Sequence, residues 1–77
     1  QFYFHEIIGF HVIDEIHGDV GVLVYINDKA AQPMFEIENG DVQIFIPMID
    51  DFIKKIDRVN KQIHVKTPEG LIDLYLN

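Results

Sequence analysis

The chain has 77 residues, 48% of them aliphatic or aromatic, which suits one small domain with a single core. It has no cysteine, so disulfides and thiolate metal sites are excluded, and no apolar run reaches the roughly 20 residues of a membrane span. Thirteen acidic residues against six basic ones give a net charge of -7, which favours basic partners and disfavours direct nucleic-acid binding.

Alternation of apolar and polar residues predicts strands along most of the chain. The first covers residues 10–15 and is closed off by His17, Gly18 and Asp19, and the second covers residues 20–27. The second strand should place its apolar side chains on two opposite faces. These faces are Val22, Val24 and Ile26 on one side, and Leu23 and Tyr25 on the other.

Two hairpins follow a polar loop at residues 27–33. Residues 34–38 and 42–46 flank Asn39-Gly40, a pair typical of a type I′ turn because both central residues need positive φ. Residues 52–59 and 62–66 flank a less favourable pair that includes Lys61, since lysine disfavours positive φ. Each of these two pairs of strands is therefore predicted to be antiparallel.

The last eleven residues have a helical pattern instead. Thr67 is predicted to cap a helix with Pro68 at its first position, followed by Leu71, Leu74 and Tyr75 at helical spacing. Six short strands and one helical turn predict an all-β fold, a small barrel or sandwich. Closure into a barrel would remove exposed strand edges.

Three segments carry a resemblance to a known family. Residues 2–9 (FYFHEIIG), 44–50 (IFIPMID) and 68–73 (PEGLID) resemble, in order and spacing, the C-terminal domain of the RimM ribosome maturation factors. The resemblance implies a closed six-stranded PRC-type β-barrel spanning residues 1–77. It also implies a second, N-terminal RNA-processing barrel that this chain lacks. Because the first residue is Gln1 rather than methionine, we expect the chain to be part of a longer protein.

The resemblance further implies a cytoplasmic domain that binds small-subunit ribosomal protein nineteen, in the 30S head, and assists 30S assembly and 16S rRNA processing. No cofactor or metal is implied, and a monomer is expected. The family's aromatic pair linked to ribosome binding corresponds to Phe2 and Tyr3, with Phe where Tyr is usual. Phe45, Met48 and Asp50 are further candidate partner-binding residues, with lower weight.

Other interpretations compete with these. The leading aromatic residues could instead pack onto the barrel, and Pro47 is sufficiently explained as a strand end. The domain could also be a stand-alone PRC-barrel adaptor unconnected with the ribosome. An enzyme is the weakest alternative, because the chain has no serine, no cysteine and a single threonine, and its four histidines match no metal-ligand spacing.

Overall fold

The computed structural model describes residues 4–76, and within this range the chain forms six strands and two short helices. The predicted all-β fold with a C-terminal helical turn is confirmed, and neither helix is long and apolar enough to cross a membrane. The elements in chain order are α1 (Phe4–Ile7), β1 (His11–Asp14), β2 (Gly18–Asn27), β3 (Met34–Asn39), β4 (Val42–Pro47), β5 (Ile53–Asp57), β6 (Gln62–Val65) and α2 (Asp73–Leu76).

The strands form one sheet with the order β4-β3-β2-β1-β6-β5. All neighbours are antiparallel except β1 and β6, which are parallel and bring the second half of the chain beside the first. Among the described residues the hydrogen-bonded ladders end at β4 and β5, which are joined by the connection at residues 48–52.

Side chains from every strand meet in a single core, so the sheet wraps around it. The molecule measures 31 × 30 × 25 Å, dimensions that a flat six-stranded sheet would not give. The core is almost entirely aliphatic, which suits strands rich in β-branched residues. Its fully buried members include Val12, Val20, Leu23, Phe35, Ile37, Ile44, Ile46, Ile63 and Ile72.

The predicted faces of β2 are wrong, because two bulges interrupt the alternation. The ladder with β1 skips Val20, and the ladder with β3 skips Val24. Each extra residue shifts the following side chains to the other face. The buried residues are consequently spaced three apart, at Val20, Leu23 and Ile26, while Val24 is exposed.

The β3–β4 hairpin is confirmed, but its turn lies one residue further along than predicted. Asn39 pairs with Val42, so the two loop residues are Gly40 and Asp41. Of these two loop residues only Gly40 has a positive φ, 59°, which is the pattern of a type II′ turn rather than type I′. The Asn39 side chain instead donates from Nδ2 to the Val20 carbonyl of β2, at 3.1 Å.

The β5–β6 hairpin is also confirmed, with a four-residue loop at residues 58–61. Asp57 organises this loop, since its carboxylate accepts from the Asn60 backbone at 3.0 Å and the Asn60 amide at 2.8 Å. Lys61 adopts φ 56° despite its side chain, and its carbonyl accepts from the His11 backbone at 3.0 Å.

The predicted helix cap is wrong. The Thr67 hydroxyl donates to the Asp14 carboxylate at 2.9 Å, and α2 begins only at Asp73. The local sequence pattern predicts that the Thr67 side chain caps a helix, but its hydroxyl bonds instead to a buried carboxylate 53 residues away in sequence. Ile72 is buried instead of Leu74, which is 78% exposed.

Candidate protein-binding face

The outer surface of β2, β3 and β4 carries a row of side chains formed by direct cross-strand neighbours. Tyr25 lies opposite Glu36, and Glu36 lies opposite Phe45. Their sequence neighbours Ile26, Phe35, Ile37, Ile44 and Ile46 are buried, so the three side chains point outward. Directly opposite residues on one face are near enough to interact.

The helix α2 covers one end of this row. The rings of Phe45 and Tyr75 meet edge to face, with centroids 6.2 Å apart and planes inclined at 61°. This arrangement is favourable for aromatic pairs and fixes the Phe45 ring. Tyr25 at the other end is 45% exposed. We call Tyr25, Glu36, Phe45 and Tyr75 the acidic aromatic face.

The segment that forms β2, β3 and β4 carries a negative net charge. From Gly18 to Pro47 the sequence contains five acidic residues and one basic residue, Lys29. Glu36 is half-buried, and its Oε2 accepts a long contact of 3.5 Å from the Asn27 amide. Its carboxylate retains acceptor capacity for a cationic group from a partner.

The predicted partner-binding residues are only partly brought together. Phe45 belongs to the acidic aromatic face, whereas Met48 is half-buried against the core and Asp50 is exposed in the connection to β5. Phe2 and Tyr3 lie outside the described residues. Sequence reasoning missed Tyr25, Glu36 and Tyr75 as neighbours of Phe45, because alternation shows which residues point outward but not which strands pair.

A second polar cluster lies where β1 ends. Asp14 is 3% exposed, and its carboxylate accepts from the backbone of Ile16 and His17 at 3.0 Å each and from Thr67 at 2.9 Å. Burial alone would raise the pKa of Asp14, but these hydrogen bonds, led by those from His17, together hold the pKa below its ordinary value.

His17 connects Asp14 to the C-terminal helix. Its Nδ1 lies 3.1 Å from Asp14 Oδ2 and its Nε2 lies 2.7 Å from Asp73 Oδ1. The hydrogen bond to Asp73, and to a smaller degree the one to Asp14, raises the pKa of His17. We call Asp14, His17, Thr67 and Asp73 the Asp14 cluster.

The Asp14 cluster has a sufficient structural explanation. Among the described side chains no buried nitrogen or oxygen lacks a hydrogen-bond partner, so nothing in this cluster is left aimed at a ligand. No group of three or more His, Asp or Glu within the described range is placed to hold a metal ion. The cluster attaches the C-terminal segment to the barrel, which positions Tyr75 beside Phe45.

Comparison with known proteins identifies the family. Residues 4–71 match the RimM PRC barrel domain. The chain is 59% identical over 76 residues to the ribosome maturation factor RimM of Christiangramia forsetii, covering 99% of this chain and 43% of that protein. It is 40% identical over 74 residues to the RimM of Bacillus pumilus, covering 95% and 42% respectively.

The fold agrees with this match. A crystal structure of a 16S ribosomal RNA processing protein RimM from Pseudomonas aeruginosa superposes with a TM-score of 0.75 at 19% identity, covering 87% of this chain and 44% of that one. The chain thus spans less than half the length of the curated relatives it matches. The chain belongs to the RimM PRC-barrel domain family, as residues 2–9, 44–50 and 68–73 predicted.

Proposed function

We propose that this chain is the C-terminal domain of a cytoplasmic ribosome maturation factor, and that it binds small-subunit ribosomal protein nineteen. It would assist 30S assembly and 16S rRNA processing by docking rather than by catalysis, beside an N-terminal barrel that precedes it in the full protein. The names of the relatives support the ribosomal role. The acidic aromatic face is the observation on which the protein-binding role depends.

The acidic aromatic face is chemically suited to a basic side chain. A carboxylate between two outward-facing aromatic rings can pair with an arginine guanidinium while the rings stack against its plane. Glu36 has this position, with Tyr25 and Phe45 opposite it on the two neighbouring strands. The negative charge of the surrounding strands would speed encounter with a basic protein.

The remaining candidate residues extend this proposal. Phe2 and Tyr3 would be aromatic anchors, as the family resemblance implies. Met48 and Asp50 follow directly after β4, and Asp50 is exposed where a basic partner could reach it. Phe45 is the one residue shared by these candidates and by the acidic aromatic face.

The test is a calorimetric titration of the chain with purified ribosomal protein nineteen. Glu36→Gln should weaken binding about tenfold, because it removes a charge-assisted contact. Glu69→Gln is the matched control: Glu69 is exposed and lies outside the acidic aromatic face, so it makes the same charge change elsewhere.

Tyr25→Ala tests the stacking contribution and should also weaken binding, with the fold verified by circular dichroism. No binding by the folded wild-type chain at tens of micromolar would overturn the proposal. Equal losses for Glu36→Gln and Glu69→Gln would assign the effect to net charge rather than to this face.

A further inference from the structure

The basic residues of the chain are concentrated in one hairpin. Residues 54–66 contain five basic residues and one acidic residue, a local charge of +4. The rest of the chain has one basic and twelve acidic residues, a charge of -11, and the two parts sum to the net charge of -7. We call residues 54–66 the basic hairpin; its cations are Lys54, Lys55, Arg58, Lys61 and Lys66.

Three of these cations are available to a partner. All five are exposed, but Arg58 contacts Glu6 at 3.2 Å and Lys66 contacts Glu15 at 3.7 Å. Within residues 4–76 no ion pair involves Lys54, Lys55 or Lys61. The single acid of the hairpin, Asp57, is hydrogen-bonded to Asn60 within the loop, and Lys55 is close enough to act on it through its charge.

A bulge is responsible for presenting two adjacent lysines. Side chains of adjacent residues in a regular strand point to opposite faces of the sheet, so one of two adjacent lysines would point inward. The β5–β6 ladder passes from Ile53 to Lys55 and skips Lys54, and both lysines are exposed. The ladder irregularity thus adds a second exposed ammonium to the hairpin.

The third lysine is held in an unfavourable conformation. Lys61 has φ 56° and is the only non-glycine residue with positive φ among those described. Glycine or asparagine would adopt this conformation at lower cost. Here the side chain supplies an exposed ammonium next to the tip of the basic hairpin.

Glu6 and Glu15 offset the charges of Arg58 and Lys66, but the acidic aromatic face does not cancel the charge of the three remaining lysines. Two strands, β2 and β1, lie between β6 and β3, the strand that carries Glu36, and the sheet wraps around one core, so Glu36 and the β6 strand of the basic hairpin face different sides of the molecule. The molecule is 25–31 Å across, whereas charges in physiological salt are screened beyond about 8 Å. A phosphate at the basic hairpin therefore experiences mainly the local lysines.

From these observations the geometry points to the basic hairpin as a second interaction surface, one that binds the phosphate backbone of RNA through Lys54, Lys55 and Lys61. The choice of RNA over other polyanions rests on the proposed role in ribosome maturation, where RNA phosphate is the dominant anion. Lysine ammonium groups bind phosphate oxygens without reading sequence, so this surface would position the domain rather than select a site.

The test is a titration of the isotope-labelled chain with a short RNA hairpin, followed by NMR. Shifts should be confined to residues 53–66, and log affinity should fall with log salt with a slope of about -2 to -3 for three phosphate contacts. The triple variant Lys54→Gln, Lys55→Gln, Lys61→Gln should lose this binding.

Single variants separate local charge from net charge. Lys55→Gln should weaken RNA binding about fivefold at roughly 0.1 M salt and reduce the slope by about one. Lys29→Gln is the matched control, because it removes the same charge from the loop between β2 and β3 and should leave RNA binding unchanged. Equal effects of both variants would overturn the inference.

Two further outcomes are informative. Absence of RNA binding, or binding to anionic phosphatidylglycerol vesicles with the same lysine dependence and no RNA binding, would overturn this inference while leaving the protein-binding proposal intact. RNA binding by a folded chain that fails to bind ribosomal protein nineteen would support the basic hairpin and overturn only the proposed function.

Discussion

The acidic aromatic face and the basic hairpin belong to the same small sheet, but their surfaces have opposite chemistry. The first combines one carboxylate with three aromatic rings, and the second has exposed lysines around a four-residue loop. The net charge of the chain sums these two surfaces and predicts a molecule that avoids RNA, whereas the lysines of the basic hairpin, taken by themselves, favour RNA phosphate. Their separation on a molecule 25–31 Å across makes local charge the relevant quantity.

The two surfaces also differ in how they are supported. Phe45 is fixed by Tyr75, which depends on the attachment of α2, and α2 depends on the Asp14 cluster. The basic hairpin depends on Asp57 and on a strained Lys61 within its own loop. One surface is thus assembled from distant parts of the chain, and the other is local.

Of the variants that test this comparison, Asp14→Ala should have the largest effect on stability. It leaves the buried Thr67 hydroxyl and two partly buried backbone amides without their acceptor, which should reduce the free energy of unfolding by about 3 kcal/mol. Urea unfolding measures the change.

Asp73→Ala is the control for that variant. The side chain of Asp73 is 61% exposed, so removing it should reduce the free energy of unfolding much less. Similar destabilisation by the two variants would mean that the buried carboxylate is not what holds the C-terminal segment.

Lys61→Gly should separate stability from binding at the basic hairpin. Relief of the positive φ should increase the free energy of unfolding by about 0.5–1 kcal/mol, while loss of the ammonium weakens RNA binding. Thermal unfolding and the RNA titration measure the two effects. Lys61→Ala removes the charge but keeps the strain, so a stability gain there would refute the conformational explanation.

The smallest expected effect is the pH dependence supplied by His17. Its pKa is raised in the folded state above 6.5, so the protonated form stabilises the fold. This contribution is fully present below pH 6.5 and is lost as the pH rises through the raised pKa. The free energy of unfolding should therefore decrease as the pH rises above 6.5.

His17→Gln should flatten that decrease, measured by urea unfolding at several pH values. An unchanged pH dependence in this variant would assign the decrease to other groups. Asp14 acts in the opposite range: its lowered pKa stabilises the fold above pH 3.8, and this contribution is lost as the pH falls through the lowered pKa.

The strands and both hairpins could be predicted because alternation and turn residues are local signals. Asn39-Gly40 located the first hairpin, although the pairing of Asn39 with Val42 moved the turn by one residue. The faces of β2 could not be predicted, since the bulges at Val20 and Val24 depend on pairing with β1 and β3. Phe45 was predicted as a site residue, but its neighbours come from other strands and from α2.

The sequence by itself determined six short strands, an apolar core and the family, since periodicity and motif spacing do not depend on which strands pair. The tertiary structure decided which residues meet. It placed Thr67 against Asp14 rather than at a helix cap, and Glu36 between Tyr25 and Phe45. These contacts join residues far apart in sequence, and only strand order, bulges and burial bring them together.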